Sequence, residues 1–241
     1  MELMNNDDNP ESRSSGELTG LHQQAAEREA IPGQRNDTVT ALQADLEKLK
    51  NVLKEMMITL ASTADTKDPY KADHQRRVAR LSCAIAGEMG FSGERIDTIE
   101  FAGTVHDIGK ISVPTQVLTK TSRLLKSEYT LLKNHPVIGC ELLEKAGYSE
   151  PLTTIVLQHH ERMNGSGYPQ GLSGEDILIE ARILAIADVV EALSSQRSHR
   201  QALGIEMALR EIKNHRERLY DADGVDACVH IITKGGFSWD E

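Results

Sequence analysis

The chain has 241 residues, of which 39% are hydrophobic and only 4% aromatic, so it can bury a core that is built mainly from aliphatic side chains. Its formal net charge of −10 argues against general affinity for DNA or RNA duplexes and for anionic membrane surfaces. No segment has the apolar length of a membrane span, the acidic N-terminal stretch is unlike a signal peptide, and three scattered cysteines without CxxC spacing favour a reducing, cytoplasmic location.

The first two segments of the chain differ sharply in composition. Residues 1–36 are polar and rich in Asn, Ser, Gly and Glu, which predicts a disordered tail. Residues 37–64 predict one long amphipathic helix with Asp37 as its N-cap, because apolar residues recur in alternating steps of three and four: Val39, Leu42, Leu46, Leu49, Leu53, Met56 and Leu60. This heptad pattern favours a parallel coiled-coil homodimer through residues 39–60, and a helix that lies against its own domain stays open as the alternative.

Residues 65–241 predict helix after helix, with no convincing strand. The stretch from His74 to Gly90 and the stretch that ends near His106 each carry an apolar stripe at helical spacing. Further helices are predicted at residues 126–134, 137–146, 151–160, 180–194, 205–217 and 223–233. The fold class is therefore all-α: a helical bundle preceded by a long N-terminal helix.

Histidines and carboxylates occupy unusual places in these predicted helices. His159 and His160 are adjacent, so they cannot both face a core from one helix, and His74 and His106 interrupt apolar stripes. Five imidazoles and two carboxylates are too many for satisfied core residues, and they suit a mixed nitrogen and oxygen site for more than one transition metal. The set is His74, His106, Asp107, His135, His159, His160 and Asp188. Iron or manganese fits such ligands, whereas a thiolate-rich zinc site is excluded because the cysteines are not clustered.

Five segments carry a family resemblance. They are "TKDPYKADHQRRVA" (66–79), "TVHDIGKISVP" (104–114), "KNHPVIG" (133–139), "QHHERMNGSGYPQGL" (158–172) and "ARILAIADVVEAL" (181–193). In this order they resemble the HD-GYP family of bacterial metal-dependent phosphodiesterases over about residues 60–233. The resemblance implies an HD-domain-like helical bundle over residues 65–241, acting as the catalytic domain.

The resemblance also implies a division of labour among the site residues. One metal ion would be held by His74, His106, Asp107 and Asp188, and a second by His135, His159 and His160, with Asp107 bridging. Some family members recruit a third ion through a glutamate where this chain has Tyr70, so two ions are expected. Asp107 and Lys110 are the expected catalytic residues. Lys110, Tyr168, Arg197 and Arg200 are expected to contact substrate.

The glycines of the "NGSGYP" loop are expected to serve this contact. Gly165 and Gly167 should permit unusual backbone conformations and let a ligand approach closely, whereas Asn164 and Ser166 are better explained by an ordinary surface turn.

The sequence departs from the family pattern just after Asp188. Val190 and Glu191 replace the usual tyrosine and aspartate, and "QRSHR" (196–200) replaces the usual "DRPYR". Because every metal position is intact, these changes are expected to affect ligand grip and selectivity rather than metal binding.

The expected reaction is hydrolysis of cyclic di-GMP to pGpG by a hydroxide activated between the two ions, and whether a second cleavage yields GMP stays open. The alternatives are a hydrolase of another cyclic dinucleotide and a low-turnover cyclic di-GMP-binding sensor. No sensory or receiver domain is expected before the long helix, which leaves a regulatory protein partner, metal redox state and expression open as routes of regulation.

Overall fold

The computed structural model describes residues 38–63, 73–195 and 202–239. The predicted disordered tail and the N-cap Asp37 lie outside these residues. So do Tyr70, Arg197 and Arg200, together with the rest of the 196–200 segment.

The chain divides into two units, Met1–Lys54 and Glu55–Glu241. In the first unit, residues 38–54 are helical and belong to helix α1, which spans residues 38–63. The predicted apolar seam is open to solvent there, since Leu42 is 63% exposed and Leu49 is 67% exposed. The long helix was predicted correctly over the described residues 38–63.

The second unit is a bundle of α-helices around one aliphatic core, and the described residues contain no β-strand beyond isolated bridges. The all-α prediction is therefore confirmed. The helices after α1 are α2 (His74–Glu88), α3 (Glu94–Val105), α4 (Thr115–Leu118), α5 (Lys126–Lys133), α6 (His135–Lys145), α7 (Leu152–Gln158), α8 (Ile179–Ser194), α9 (Ile205–Asn214) and α10 (Ala222–Thr233). Short 3₁₀ turns occupy Ile108–Ser112 and Gly174–Asp176.

Helix α8 organises this bundle. It packs against α2, α7, α9 and α10, and most of its side chains are buried, in keeping with its nearly continuous apolar sequence. Helix α2 packs on both α3 and α8, while α6 packs against α7 and the 3₁₀ turn Ile108–Ser112. At the start of the unit, Met57 and Ala61 of α1 are buried in the same core.

The predicted helix boundaries hold with three informative differences. Helix α6 begins at His135, two residues earlier than predicted, because Pro136 is tolerated in a first helical turn. Helix α7 ends at Gln158, so the following histidine pair lies beyond the regular helix. Helix α9 ends at Asn214 rather than at residue 217, where Glu217 adopts a positive φ of 65°. Among the described helices, none combines the length and the apolarity that a membrane span requires.

Candidate metal centre

Helix ends deliver most of the predicted metal ligands to one place. His74 and His135 are the first residues of α2 and α6, His106 and Asp107 follow α3, and His159 follows α7. Asp188 alone comes from within a helix, α8. These elements pack side by side, so ligands that are far apart in the sequence become neighbours.

The ligand atoms form two overlapping groups. Those of Asp107, His135, His159 and His160 lie within 4.8 Å of one another, and those of His74, His106 and Asp107 do the same. Oδ1 of Asp188 lies 3.4 Å from Nε2 of His74, which joins it to the second group. The structure thus brings all seven predicted residues together, and Asp107 is common to both groups.

Backbone carbonyls fix the orientation of three of the imidazole rings. In each, Nδ1 lies at hydrogen-bond distance from the carbonyl oxygen three residues earlier in the chain. The pairs are His106 with Gly103 at 2.7 Å, His135 with Leu132 at 2.7 Å and His159 with Val156 at 2.6 Å. A carbonyl oxygen can only accept a hydrogen bond, so Nδ1 carries the proton and Nε2 presents a lone pair to the site.

These lone pairs meet without a proton between them. Nε2 of His135 lies 3.3 Å from Nε2 of His159 and 3.2 Å from Oδ1 of Asp107. Within the described residues, the buried atoms Oδ1 of Asp107 and Nε2 of His106 indeed have no hydrogen-bond partner. Converging acceptors in a buried site fit a cation, because desolvated lone pairs and charge need compensation.

The charges of these groups agree with that fit. Burial lowers the pKa of His159 well below its usual value, and its neighbours His106 and His135 lower it further, so the ring is neutral. Burial by itself would raise the pKa of Asp107, but Lys110 and the surrounding imidazoles outweigh it and hold this pKa well below its usual range. Lys110 lies on the 3₁₀ turn that follows Asp107, and its ammonium donates a hydrogen bond to Oδ2 of that aspartate. Burial likewise lowers the pKa of His106 and His160, so these rings and His159 lie as neutral nitrogens near an ionised carboxylate, the protonation states that metal ligands require.

Glu191 corrects one sequence-based expectation. The replacement at this position was expected to affect ligand grip, but Glu191 is buried and its Oε2 accepts a hydrogen bond from Nδ1 of His74. Val190 also points away from any ligand, since it lies fully buried in the core. Residues three apart on a helix share one face, so the spacing places Glu191 on the face of Asp188, but it does not indicate the contact with His74.

A second buried carboxylate, Glu161, holds the "NGSGYP" loop in shape. Its Oε1 accepts backbone hydrogen bonds from Gln170 at 2.7 Å and Gly171 at 3.1 Å, and its Oε2 accepts one from Leu172 at 3.1 Å. Sequence reasoning missed this residue, although it directly follows the histidine pair. A carboxylate that binds three amides of one turn fixes the loop relative to the neighbouring histidine pair.

The two loop glycines have different roles from each other. Gly165 has a φ of +76°, as expected for a conformation that other residues rarely adopt. Gly167 makes room for the chain itself rather than for a ligand, because a Cβ there would lie 2.4 Å from Cα of Glu161. The backbone N–H and the hydroxyl of Ser166 both donate hydrogen bonds to Oδ1 of Asn164 in an exposed turn, which accounts for both polar residues.

Tyr168 lies at the edge of the centre. Its ring is 4.7 Å from that of His160, and the ammonium of Lys133 lies 4.9 Å from the same tyrosine ring. Lys133 was not singled out from the sequence, although it precedes His135 by two residues. The half-buried ring of Tyr168, with the Lys133 ammonium over it and the His160 ring next to it, offers a surface for a base or a phosphate.

Comparisons with known proteins agree with this arrangement. The sequence profile of the HD domain matches residues 58–224. The chain is 37% identical over 190 residues to the cyclic di-GMP phosphodiesterase response regulator RpfG of Xanthomonas campestris, covering 78% of this chain and 50% of that protein. It is 36% identical over 155 residues to 3'3'-cGAMP-specific phosphodiesterase 1 of Vibrio cholerae, covering 64% of this chain and 35% of that protein.

A solved structure extends the likeness to the fold. Bd1817, described as an HDG"Y"P protein from Bdellovibrio bacteriovorus, superposes with a TM-score of 0.56 at 20% identity, over 66% of this chain and 51% of that one. An all-α bundle with a histidine and aspartate centre at its helix ends is the class of domain that these observations define. The chain belongs to the HD domain family, in its HD-GYP group. The chain covers 50% of the length of RpfG and 35% of the length of the V. cholerae phosphodiesterase.

Proposed function

We propose that the chain is a metal-dependent phosphodiesterase that hydrolyses cyclic di-GMP to pGpG, and onward to GMP. One observation carries the proposal: a single ionised carboxylate, Asp107, is shared by two groups of inward-facing ligand atoms. A bridging carboxylate between two ions about 3.5–4 Å apart is the arrangement used for in-line displacement at phosphorus. The scattered free cysteines favour a cytoplasmic location, where such a messenger would be met.

The proposed ligand sets follow the two groups of atoms. One ion would take His74, His106, Asp107 and Asp188, and the other would take His135, His159 and His160 together with Asp107. Iron or manganese is proposed for both positions because imidazole and carboxylate ligands suit these metals. Residues 65–241 would form the catalytic domain, a range that overlaps most of the HD domain match.

When bound, the two ions supply Lewis acidity, which lowers the pKa of water and offsets charge on a phosphodiester. The residues around them bind and orient. Asp107 holds the ammonium of Lys110 at the site, where that cation can contact a phosphate oxygen of the substrate. Tyr168 offers its ring to a nucleobase, and Arg197 and Arg200 would bind the more distant phosphate through their planar guanidinium groups.

The test is a combined metal and product assay on the purified chain. Metal content is measured first, and cyclic di-GMP is then followed by chromatography in the presence of Fe²⁺ or Mn²⁺. Two ions per chain with release of pGpG or GMP is the expected result. Bound metal and bound cyclic di-GMP with no product would instead favour the low-turnover sensor.

A second substrate has support of its own. The relative from V. cholerae is named for cleavage of 3'3'-cGAMP and is 36% identical to this chain, almost as similar as RpfG. The departures at residues 196–200 fall where the second phosphate would be bound. The same chromatographic assay with 3'3'-cGAMP and cyclic di-AMP distinguishes these substrates by their relative kcat/KM.

We also propose that residues 39–60 form a parallel coiled-coil homodimer. The apolar seam of α1 is largely exposed, with Val39, Leu46 and Met56 at 50%, 54% and 57%. In an in-register parallel pair, Asp45 at position g of one heptad would face Lys50 at position e of the second copy. This opposite-charge pairing favours a second copy over the chain's own domain as the partner of the seam. A regulatory protein could act on the same helix pair.

The dimer predicts a specific effect of charge on the seam. The double variant Leu46→Lys, Leu49→Lys is expected to turn a dimer into a monomer in sedimentation velocity across a dilution series, because it places four like charges in the interface. The matched control is Ala44→Lys, Asn51→Lys, which adds the same charge at exposed positions outside the seam. Monomer at every concentration for the unsubstituted chain would refute the dimer.

A further inference from the structure

His74 is oriented differently from three of the other four histidines of the centre, His106, His135 and His159. Each of these three donates its Nδ1–H to the backbone carbonyl oxygen three residues earlier in the chain. His74 opens helix α2 directly after Asp73, whose φ is +64°, and its Nδ1 donates to the side chain of Glu191 on α8. Its orientation therefore depends on a side chain from another helix rather than on the backbone.

Glu191 and His74 lie on two helix faces, one on α8 and one on α2, that contact each other. On α8, Asp188 and Glu191 are three residues apart, and on α2, His74 and Arg77 have the same spacing. Nε2 of His74 faces Asp188, while its Nδ1 faces Glu191. Oε1 of Glu191 accepts from Arg77 Nε at 2.8 Å and Nη2 at 2.6 Å, so the carboxylate is fixed from a second side.

A third contact completes this fixation. The Ser195 hydroxyl donates to Oε1 of Glu191 at 2.7 Å. Glu191 is 1% exposed, so it has no freedom to swing into solvent. A histidine whose outer nitrogen donates to a held carboxylate is fixed in one tautomer and becomes a more basic metal ligand.

We propose that Glu191 is a positioning residue that sets the affinity of one of the two metal positions, the one that includes His74. The hydrogen bonds described above join its carboxylate to His74, Arg77 and Ser195, so the position that includes His74 should depend on it most. This inference rests on the proposed two-metal centre, and its test reads metal binding rather than turnover.

The test is equilibrium titration of the metal-free protein with Mn²⁺. The unsubstituted chain should bind two ions, and Glu191→Gln should weaken one binding event by about ten- to a hundredfold while leaving the other within about twofold. His160→Gln identifies the second position, and it should weaken the event that Glu191→Gln spares. Glu191→Asp keeps the charge and should restore part of the lost affinity.

Glu180→Gln is the matched control. Glu180 lies on the same helix, is buried and accepts two hydrogen bonds from Arg95 at 3.0 and 2.7 Å, but it does not contact a histidine of the centre. It should leave both Mn²⁺ affinities unchanged, and thermal unfolding of the metal-free variants reports whether each remains folded. Unchanged affinities in Glu191→Gln, or equal weakening of both events, would overturn the proposal. An unsubstituted chain that binds no Mn²⁺ would instead refute the proposed function.

Discussion

Replacing Asp107 with alanine is expected to abolish metal binding and hydrolysis together. Asp107 is fully buried, and it is the one residue common to both groups of ligand atoms. Its loss leaves each position with imidazoles but without the bridging charge. We expect metal content to fall from two ions per chain to none after dialysis, and kcat to fall at least about a thousandfold, or about 4 kcal/mol of transition-state stabilisation.

Asp188→Ala gives the contrast that makes this result specific. Oδ1 of Asp188 lies 3.4 Å from Nε2 of His74, in the group of the first ion, so its removal should cost that ion and leave the second bound. Metal content is measured by elemental analysis against protein concentration, with thermal unfolding of the metal-free variants as the folding control. Full metal content in Asp107→Ala would show that this carboxylate does not bridge two ions.

The second large effect is expected at Gly103, where α3 crosses α2. A Cβ at this position would lie 2.5 Å from Cα and 2.8 Å from Cβ of Ala79, so the two helix backbones are in near contact. Gly103→Ala should force α2 and α3 apart and lower the free energy of unfolding by about 2 kcal/mol. Urea unfolding of the metal-free protein measures this loss.

The same substitution should reach the metal centre. The carbonyl oxygen of Gly103 accepts the Nδ1 hydrogen bond of His106, so a displaced helix turns that ring. Gly87→Ala is the matched control, because Gly87 is also helical and a Cβ there meets nothing within 4 Å. It should stabilise the protein by up to about 1 kcal/mol, since alanine favours helix. Equal stability of the two variants would mean that the crossing can widen without cost.

The helices were predictable because their signals are local. The stretch 180–194 was predicted from its apolar run and its predicted limits differ from those of α8 by one residue. The end of α7 was less predictable: continuous helix was expected to residue 160, whereas the chain turns after Gln158. Beyond the helix end the two rings lie together, with centroids 4.1 Å apart, so adjacent imidazoles can face one site.

The roles of Glu191 and Gly167 could not be predicted in the same way. Each depends on a contact with a residue from another part of the fold or loop, and a single sequence does not state such contacts. Glu191 meets His74 across 117 positions of the chain, and Gly167 meets the backbone of residues 160–162. The resemblance supplied the ligand types and their order, but the groups that orient the ligands became visible only in three dimensions.

The carbonyl contacts of the histidines bear on how such a domain can evolve. A point mutation replaces a side chain but keeps the peptide group. The ring orientations of His106, His135 and His159 are therefore protected from most single substitutions. His74, in contrast to these three, is oriented by a carboxylate that a single substitution can replace. Changes in metal preference among descendants of this chain would therefore be expected to arise first at that corner of the centre.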